Sequence, residues 1–203
     1  MMFRTIVITK PTFFDGEADM IVWLLRQGKA DILHVRKPSA SEKEYEDLLK
    51  LIPSIWRSSL VIHDHFELTQ YFALGGVHLN SRHPEAPVGY QGSISRSCHS
   101  LEEIIIHRDR CDYLFLSPIF DSISKEGYGR NFTITQLQEA AANGIITPQV
   151  IALGGIGRET LPLLRPLPFG GCAFLGAIWG QNLSSAEVFV NFAYYLKEMA
   201  TWQ

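Results

Sequence analysis

His99 ends the extended run GSISRSCH (residues 92–99) and precedes Ser100, which with Glu103 spells the S-x-x-E capping box of a helix start. An imidazole can take and return a proton near neutral pH, so a histidine at the carboxyl end of a strand suits proton transfer. The placement recurs along the chain. Arg36 and Lys37, His63 and Asp64, His78 and Asn80, Ser97 with His99, Ser117, Gly154 with Gly155, and Gly176 all fall at the ends of apolar, β-branched runs. Charged, hydroxyl and imidazole groups gather at these ends while the middles of the runs are apolar. That asymmetry favours an active-site face over a structural role.

Each group has a chemistry and a plainer alternative. Arg36 can grip a carboxylate or phosphate with two parallel hydrogen bonds, or pair with Glu42 or Glu44 at the surface. The glycines of ALGGIGRET put exposed N–H groups between a strand and a helix start, an anion site built without charged side chains. Gly176 closes the following run, and the same glycines also suit tight turns. In the polar loop DSISKEGYGRN, Ser122, Ser124 and Lys125 can bind a second anionic group or face solvent. Asp64 can hold magnesium if substrate phosphates complete the shell, or cap the helix near Phe66. His34, His63, His65 and His78 raise a rival transition-metal cluster, in which His63 and His65 chelate together only if both keep strand geometry. The three cysteines, Cys98, Cys111 and Cys172, read as packing residues, Cys98 beside the candidate site.

Something must hold these ends on one face. Eight short runs alternate with helical patterns: Arg4–Thr9, Asp31–Lys37, Ser59–Asp64, Gly76–Asn80, Gly92–His99, Asp112–Phe120, Gln149–Gly155 and Gly170–Ile178. Tyr45, Leu48, Leu49 and Ile52 share one helical face, and Val188, Phe192, Tyr195, Leu196 and Met199 another. Only a short connection follows the fourth run, and a helix over GRETLPLLR is expected after the seventh. Alternating strands and helices require parallel pairing. The expected fold is a compact α/β (β/α)8 TIM barrel, one domain over residues 1–203, with an open doubly wound sheet as the alternative.

Composition narrows the class. Hydrophobic residues make up 46% and charged residues 19%, as in a globular enzyme. A net charge of -3 gives no basic face for nucleic acid. No apolar run reaches the length of a membrane span, and MMFRTIVITK lacks a signal-peptide pattern. Three cysteines without a C-x-x-C pair point to a reduced, cytoplasmic protein. The assembly is left open, a homodimer included.

Taken in order, HVRK, VIHDHFELTQYFALGGVHLN, SRSCHSLEE, DYLFLSPIFDSISK and VIALGGI resemble the thiamine phosphate synthase and TenI-type barrel family over almost the full length. The resemblance implies a barrel acting on thiamine precursors, with Gly154, Gly155 and the Gly176 loop on a thiazole phosphate. In the synthase branch an aminomethyl pyrimidine diphosphate is joined to thiazole phosphate, diphosphate departs, and magnesium is required. In the TenI branch a histidine moves a proton within a thiazole carboxylate phosphate, without metal.

Departures from the synthase pattern separate the branches. Where synthases read L-R-x-K, Val35-Arg36-Lys37-Pro38 keeps the arginine and puts Pro38 at the lysine. Lys37, one place early, points to the opposite side of a regular strand. N-D becomes His63-Asp64, and G-Q-x-D becomes Asn80-Ser81-Arg82-His83, with His83 where a carboxylate would bind magnesium. T-x-T-K survives as Ser122-Ile123-Ser124-Lys125. The expectation is therefore a TenI-type thiazole tautomerase. His99 is its acid/base, Arg36 its carboxylate clamp, and Ser97, Ser122, Ser124, Lys125, Gly154, Gly155 and Gly176 hold substrate and phosphate, with no cofactor. The alternatives are a divergent synthase with Mg2+ on Asp64, and a non-catalytic regulatory protein that binds a phosphate ligand.

Overall fold

The computed structural model describes residues 3–27, 30–120, 132–180 and 185–202. Its strands are β1 (Arg4–Ile8), β2 (Ile32–Val35), β3 (Leu60–Ile62), β4 (Gly76–Leu79), β5 (Ser93–Cys98), β6 (Tyr113–Leu116), β7 (Val150–Leu153) and β8 (Gly171–Phe174). They pair in parallel, in chain order, and β1 closes against β8 with Arg4 opposite Gly171. The barrel expected from the sequence is thus observed, and the open sheet is excluded.

The helices are α1 (Glu17–Arg26), α2 (Glu42–Leu51), α3 (Ser54–Arg57), α4 (Leu68–Phe72), α5 (Leu101–His107), α6 (Ile134–Ala142), α7 (Gly176–Trp179) and α8 (Ser185–Ala200). Period-2 alternation sends Val7, Leu33, Val35, Val77, Leu114 and Ala152 outward into the core shared with the helices. Ile6, Ile8, Tyr113, Phe115, Ile151 and Ala173 point inward and form a separate apolar cluster inside the barrel. That cluster comes from β1, β6, β7 and β8. The inward positions of β2 to β5 include His34, His78 and Ser95, all fully buried. The interior therefore has an apolar sector and a polar sector.

Three local expectations change. The segment after β7 is no α-helix but a 3-10 turn, Leu161–Leu164. Pro162, Pro166 and Pro168 remove the donors that a longer helix needs. β8 stops at Phe174, so Gly176 opens α7 rather than closing a strand. At α5 only half of the capping box forms: the Ser100 hydroxyl accepts from the Glu103 N–H, but the Glu103 carboxylate accepts from the N–H of His99 at 2.7 Å. Among the described residues no helix is long and apolar enough to cross a membrane.

Candidate functional site

All eight strand ends contribute to one cavity of about 840 Å³. Its walls include Ile8, Arg36, His63, Asn80 and Arg82 on one side, and Ser97, His99, Ser117, Gly154, Gly155 and Gly176 on the other. Of the residues singled out from the sequence, Arg36, Ser97, His99, Gly154, Gly155 and Gly176 meet here. Ser122, Ser124 and Lys125 lie outside the described residues.

His99 is held through its backbone and its ring. Its N–H donates to Glu103 Oε2, and its ring Nδ1 lies 2.8 Å from the Ser117 carbonyl. A carbonyl only accepts, so Nδ1 carries the proton and the lone pair of the neutral ring is on Nε2. The ring is exposed on the cavity wall. Cys98 next to it is fully buried, and burial pushes its thiol up to about 12, which makes it a packing group.

Arg36 is anchored through its backbone: its N–H donates to Thr9 Oγ1 at 2.9 Å, and Thr9 Oγ1 donates to its carbonyl at 3.4 Å. Its guanidinium makes no ion pair among the described residues, so the surface pairing with Glu42 or Glu44 is not realised there. Lys37 turns away, as strand alternation requires. Its ammonium is buried 2.6 and 2.7 Å from the two Glu17 carboxylate oxygens and donates to the Lys10 and Thr12 carbonyls. Burial pulls the Lys37 ammonium down and pushes the Glu17 carboxyl up, against their mutual attraction.

Asp64 is buried and engaged on both oxygens. Arg82 donates to Oδ1 from Nε at 3.1 Å and from a terminal nitrogen at 2.8 Å. His83 Nε2 lies 3.2 Å from the same oxygen. The Tyr45 hydroxyl donates to Oδ2 at 3.3 Å. Asn80 sets up this turn by accepting from the N–H groups of Arg82 and His83. The alternative in which Asp64 caps a helix is not what forms: α4 begins at Leu68 behind Glu67, without a side-chain cap.

The glycine loops approach the cavity closely. Gly154 has φ +94°, and a Cβ there would lie 2.9 Å from Pro118 Cα and Cβ. Ile119 and Phe120 donate to the Leu153 and Gly154 carbonyls, which joins the chain after β6 to the loop after β7. After β7 the chain forms a 3-10 turn rather than an α-helix, so Gly154 and Gly155 offer an anion loop amides and no helix dipole.

At the inner end of the cavity, where His63 forms part of its wall, three buried histidines converge. His34 Nδ1 lies 3.0 Å from His63 Nε2, and His34 Nε2 lies 2.7 Å from the Tyr113 hydroxyl. His78 Nδ1 and Nε2 each lie 2.8 Å from a serine hydroxyl, Ser95 and Ser97. The Ser95 hydroxyl donates to the Val77 carbonyl, so Ser95 accepts from His78 Nδ1–H and Ser97 donates to Nε2. Loss of water holds all three rings neutral: His34 and His63 are lowered well below the usual imidazole range and His78 to about 3. Positive φ takes His65 off strand geometry, and its Nε2 meets the Ala40 carbonyl, so it does not join His63.

Sequence reading missed Arg82 and Tyr45 as partners of Asp64, and Glu103 as the clamp on His99. Only the last left a local signal, a carboxylate four residues past His99 in a first helical turn.

Residues 5–178 match the family model described as thiamine monophosphate synthase. The chain is 29% identical over 173 residues to the thiamine-phosphate synthase of Parasynechococcus marenigrum, which covers 81% of this chain and 48% of that protein. It thus spans about half the length of that relative. It is 27% identical over 170 residues to the thiamine-phosphate synthase of Bacteroides fragilis, covering 75% of this chain and 80% of the relative. The crystal structure of thiamine phosphate pyrophosphorylase from Bacteroides thetaiotaomicron superposes with TM-score 0.85 at 38% identity, covering 99% of this chain and 98% of that one.

Proposed function

Because the chain belongs to the thiamine monophosphate synthase family, we propose that it is a thiamine-phosphate synthase, joining an aminomethyl pyrimidine diphosphate to thiazole phosphate. The observation that carries this reading is the 38% identity over nearly the whole length to a thiamine phosphate pyrophosphorylase. It ranks the synthase above the tautomerase that the sequence departures favoured. A cavity of about 840 Å³ has room for two ring substrates together.

Each wall has a task in this reading. Arg36 takes negative charge on the departing diphosphate, where a fixed cation lowers the barrier most. The amides around Gly154, Gly155 and Gly176 hold the thiazole phosphate. Ser97 contacts the pyrimidine from the polar sector. Ser122, Ser124 and Lys125, outside the described residues, are proposed to bind the diphosphate.

The resemblance implies magnesium, and the residues present do not fit it. Asp64 is the one carboxylate at the expected place, and a guanidinium and an imidazole already occupy its Oδ1. Magnesium prefers several oxygen ligands and dehydrates reluctantly.

The test mixes purified protein with the pyrimidine diphosphate and thiazole phosphate, with magnesium or with a chelator. Thiamine phosphate is read as fluorescent thiochrome. Product is expected; no product in either condition, from protein shown to be folded, overturns the synthase reading. A second reading, the TenI-type tautomerase, is favoured by the engaged Asp64 and by the tautomer of His99. It is tested with thiazole carboxylate phosphate alone.

A further inference from the structure

We infer that His34, His63 and His78 form a binding site for a divalent transition-metal ion of the zinc class, inside the barrel at the inner end of the cavity and separate from Asp64. One ring nitrogen from each lies within 4.8 Å of those of the other two. The three side chains come from separate strand ends and stack as a compact set. The His63 and His78 rings lie 4.2 Å apart, and His34 stands edge-on at 5.2 Å from both.

The site is built in the way metal sites are built. Tetrahedral zinc–imidazole bonds of about 2.0–2.1 Å put neighbouring nitrogens roughly 3.3 Å apart. The His34–His63 pair, at 3.0 Å, already has nearly that spacing. The remaining nitrogens close in by side-chain movement on the order of an ångström or more. Hydrogen bonds hold the far nitrogens: the Tyr113 hydroxyl lies at His34 Nε2, and Ser95 accepts from His78 Nδ1–H. Such outer partners fix the ring and turn the other nitrogen's lone pair toward the ion. In the unliganded site one proton lies between His63 Nε2 and His34 Nδ1. On binding, it shifts to the far nitrogen of the ring that carries it, and both facing nitrogens become ligands.

Charge supports the same reading. Burial keeps the rings neutral, the form that binds metal without first losing a proton. Three imidazoles without a carboxylate suit zinc, cobalt or nickel and disfavour magnesium. Entry is from the cavity, whose wall includes His63 and Ser97. Ser97 Oγ, 2.8 Å from His78 Nε2, is the nearest protein oxygen for a fourth position.

The test uses the full chain, stripped with chelator and titrated with Co2+ while its visible d–d absorption is followed. One equivalent of tetrahedral-type absorption, erased by Zn2+, is expected. His34→Gln and His63→Asn are each expected to abolish it. Ser95→Ala is expected to weaken binding about 10–100-fold by releasing His78. His65→Gln and His83→Gln are expected to leave it unchanged. Circular dichroism checks the fold of each variant, and Zn2+ is expected to raise the Tm of the parent but not of His34→Gln. Absence of Co2+ absorption in the parent, or its persistence in folded His34→Gln, overturns the assignment. This result is independent of thiochrome formation, so the site and the proposed activity stand or fall separately.

Discussion

His99 is aimed by contacts outside its own strand: a carbonyl after β6 fixes its tautomer and a carboxylate on α5 fixes its backbone. If the second, tautomerase reading holds, His99→Asn is expected to lower tautomerisation of thiazole carboxylate phosphate by about 10²–10⁴-fold, with phosphate-ligand affinity unchanged by calorimetry. Equal turnover in the variant removes His99 from proton transfer. The buried histidines make a second prediction. Their pKa values are lower folded than unfolded, so below about pH 6.5 the unfolded chain binds protons that the folded chain refuses. Stability is full above that pH and is lost as pH falls below it, with His78 contributing down to about pH 3. Urea unfolding at pH 7.5, 6 and 5 checks this; a slope unchanged by His34→Gln removes His34 from the account. At this scale the placement of His99 and Arg36 on the cavity wall was legible because a strand end is a local feature. The fate of Asp64 was not, because Arg82 and Tyr45 reach it from 18 and 19 residues away.

The elements are tied together as well as packed. Lys37, just past β2, ties the strand end to α1 through the buried pair with Glu17. Removing one partner strands the other charge in an apolar site, so Lys37→Met is expected to cost about 3–5 kcal/mol, and adding Glu17→Leu to recover most of it. Denaturant unfolding of the two singles and the double closes the cycle; additive costs contradict the coupling. Strand order and the α2 and α8 faces were readable because burial on both sides leaves continuous β-branched runs and helical stripes. The β7–β8 connection was misread because its leucines mimic helical spacing while its prolines forbid a long helix.

For the whole molecule, closure is the demanding step. At the β1–β8 seam a Cβ on Gly171 would lie 2.2 Å from the Arg4 carbonyl oxygen. That oxygen belongs to the backbone, so the seam must open to relieve the contact. Gly171→Ala is expected to destabilise by about 1–3 kcal/mol or more, read as a lower urea midpoint; an unchanged midpoint shows that the seam gives way freely.

The two sectors of the interior also bear on the direction of a bond-forming reaction. A flat heterocycle reaching down from the cavity meets hydroxyls and imidazoles toward β2–β5, and Phe115, Ile151 and Ile8 on the other side. Turned over, it would press its heteroatoms against hydrocarbon and leave them unpaired, at about 1–3 kcal/mol for each. A single such mismatch already favours one face of the ring by about 5- to 150-fold. Regiochemistry would then be decided before any bond is made, by which way up the ring can lie.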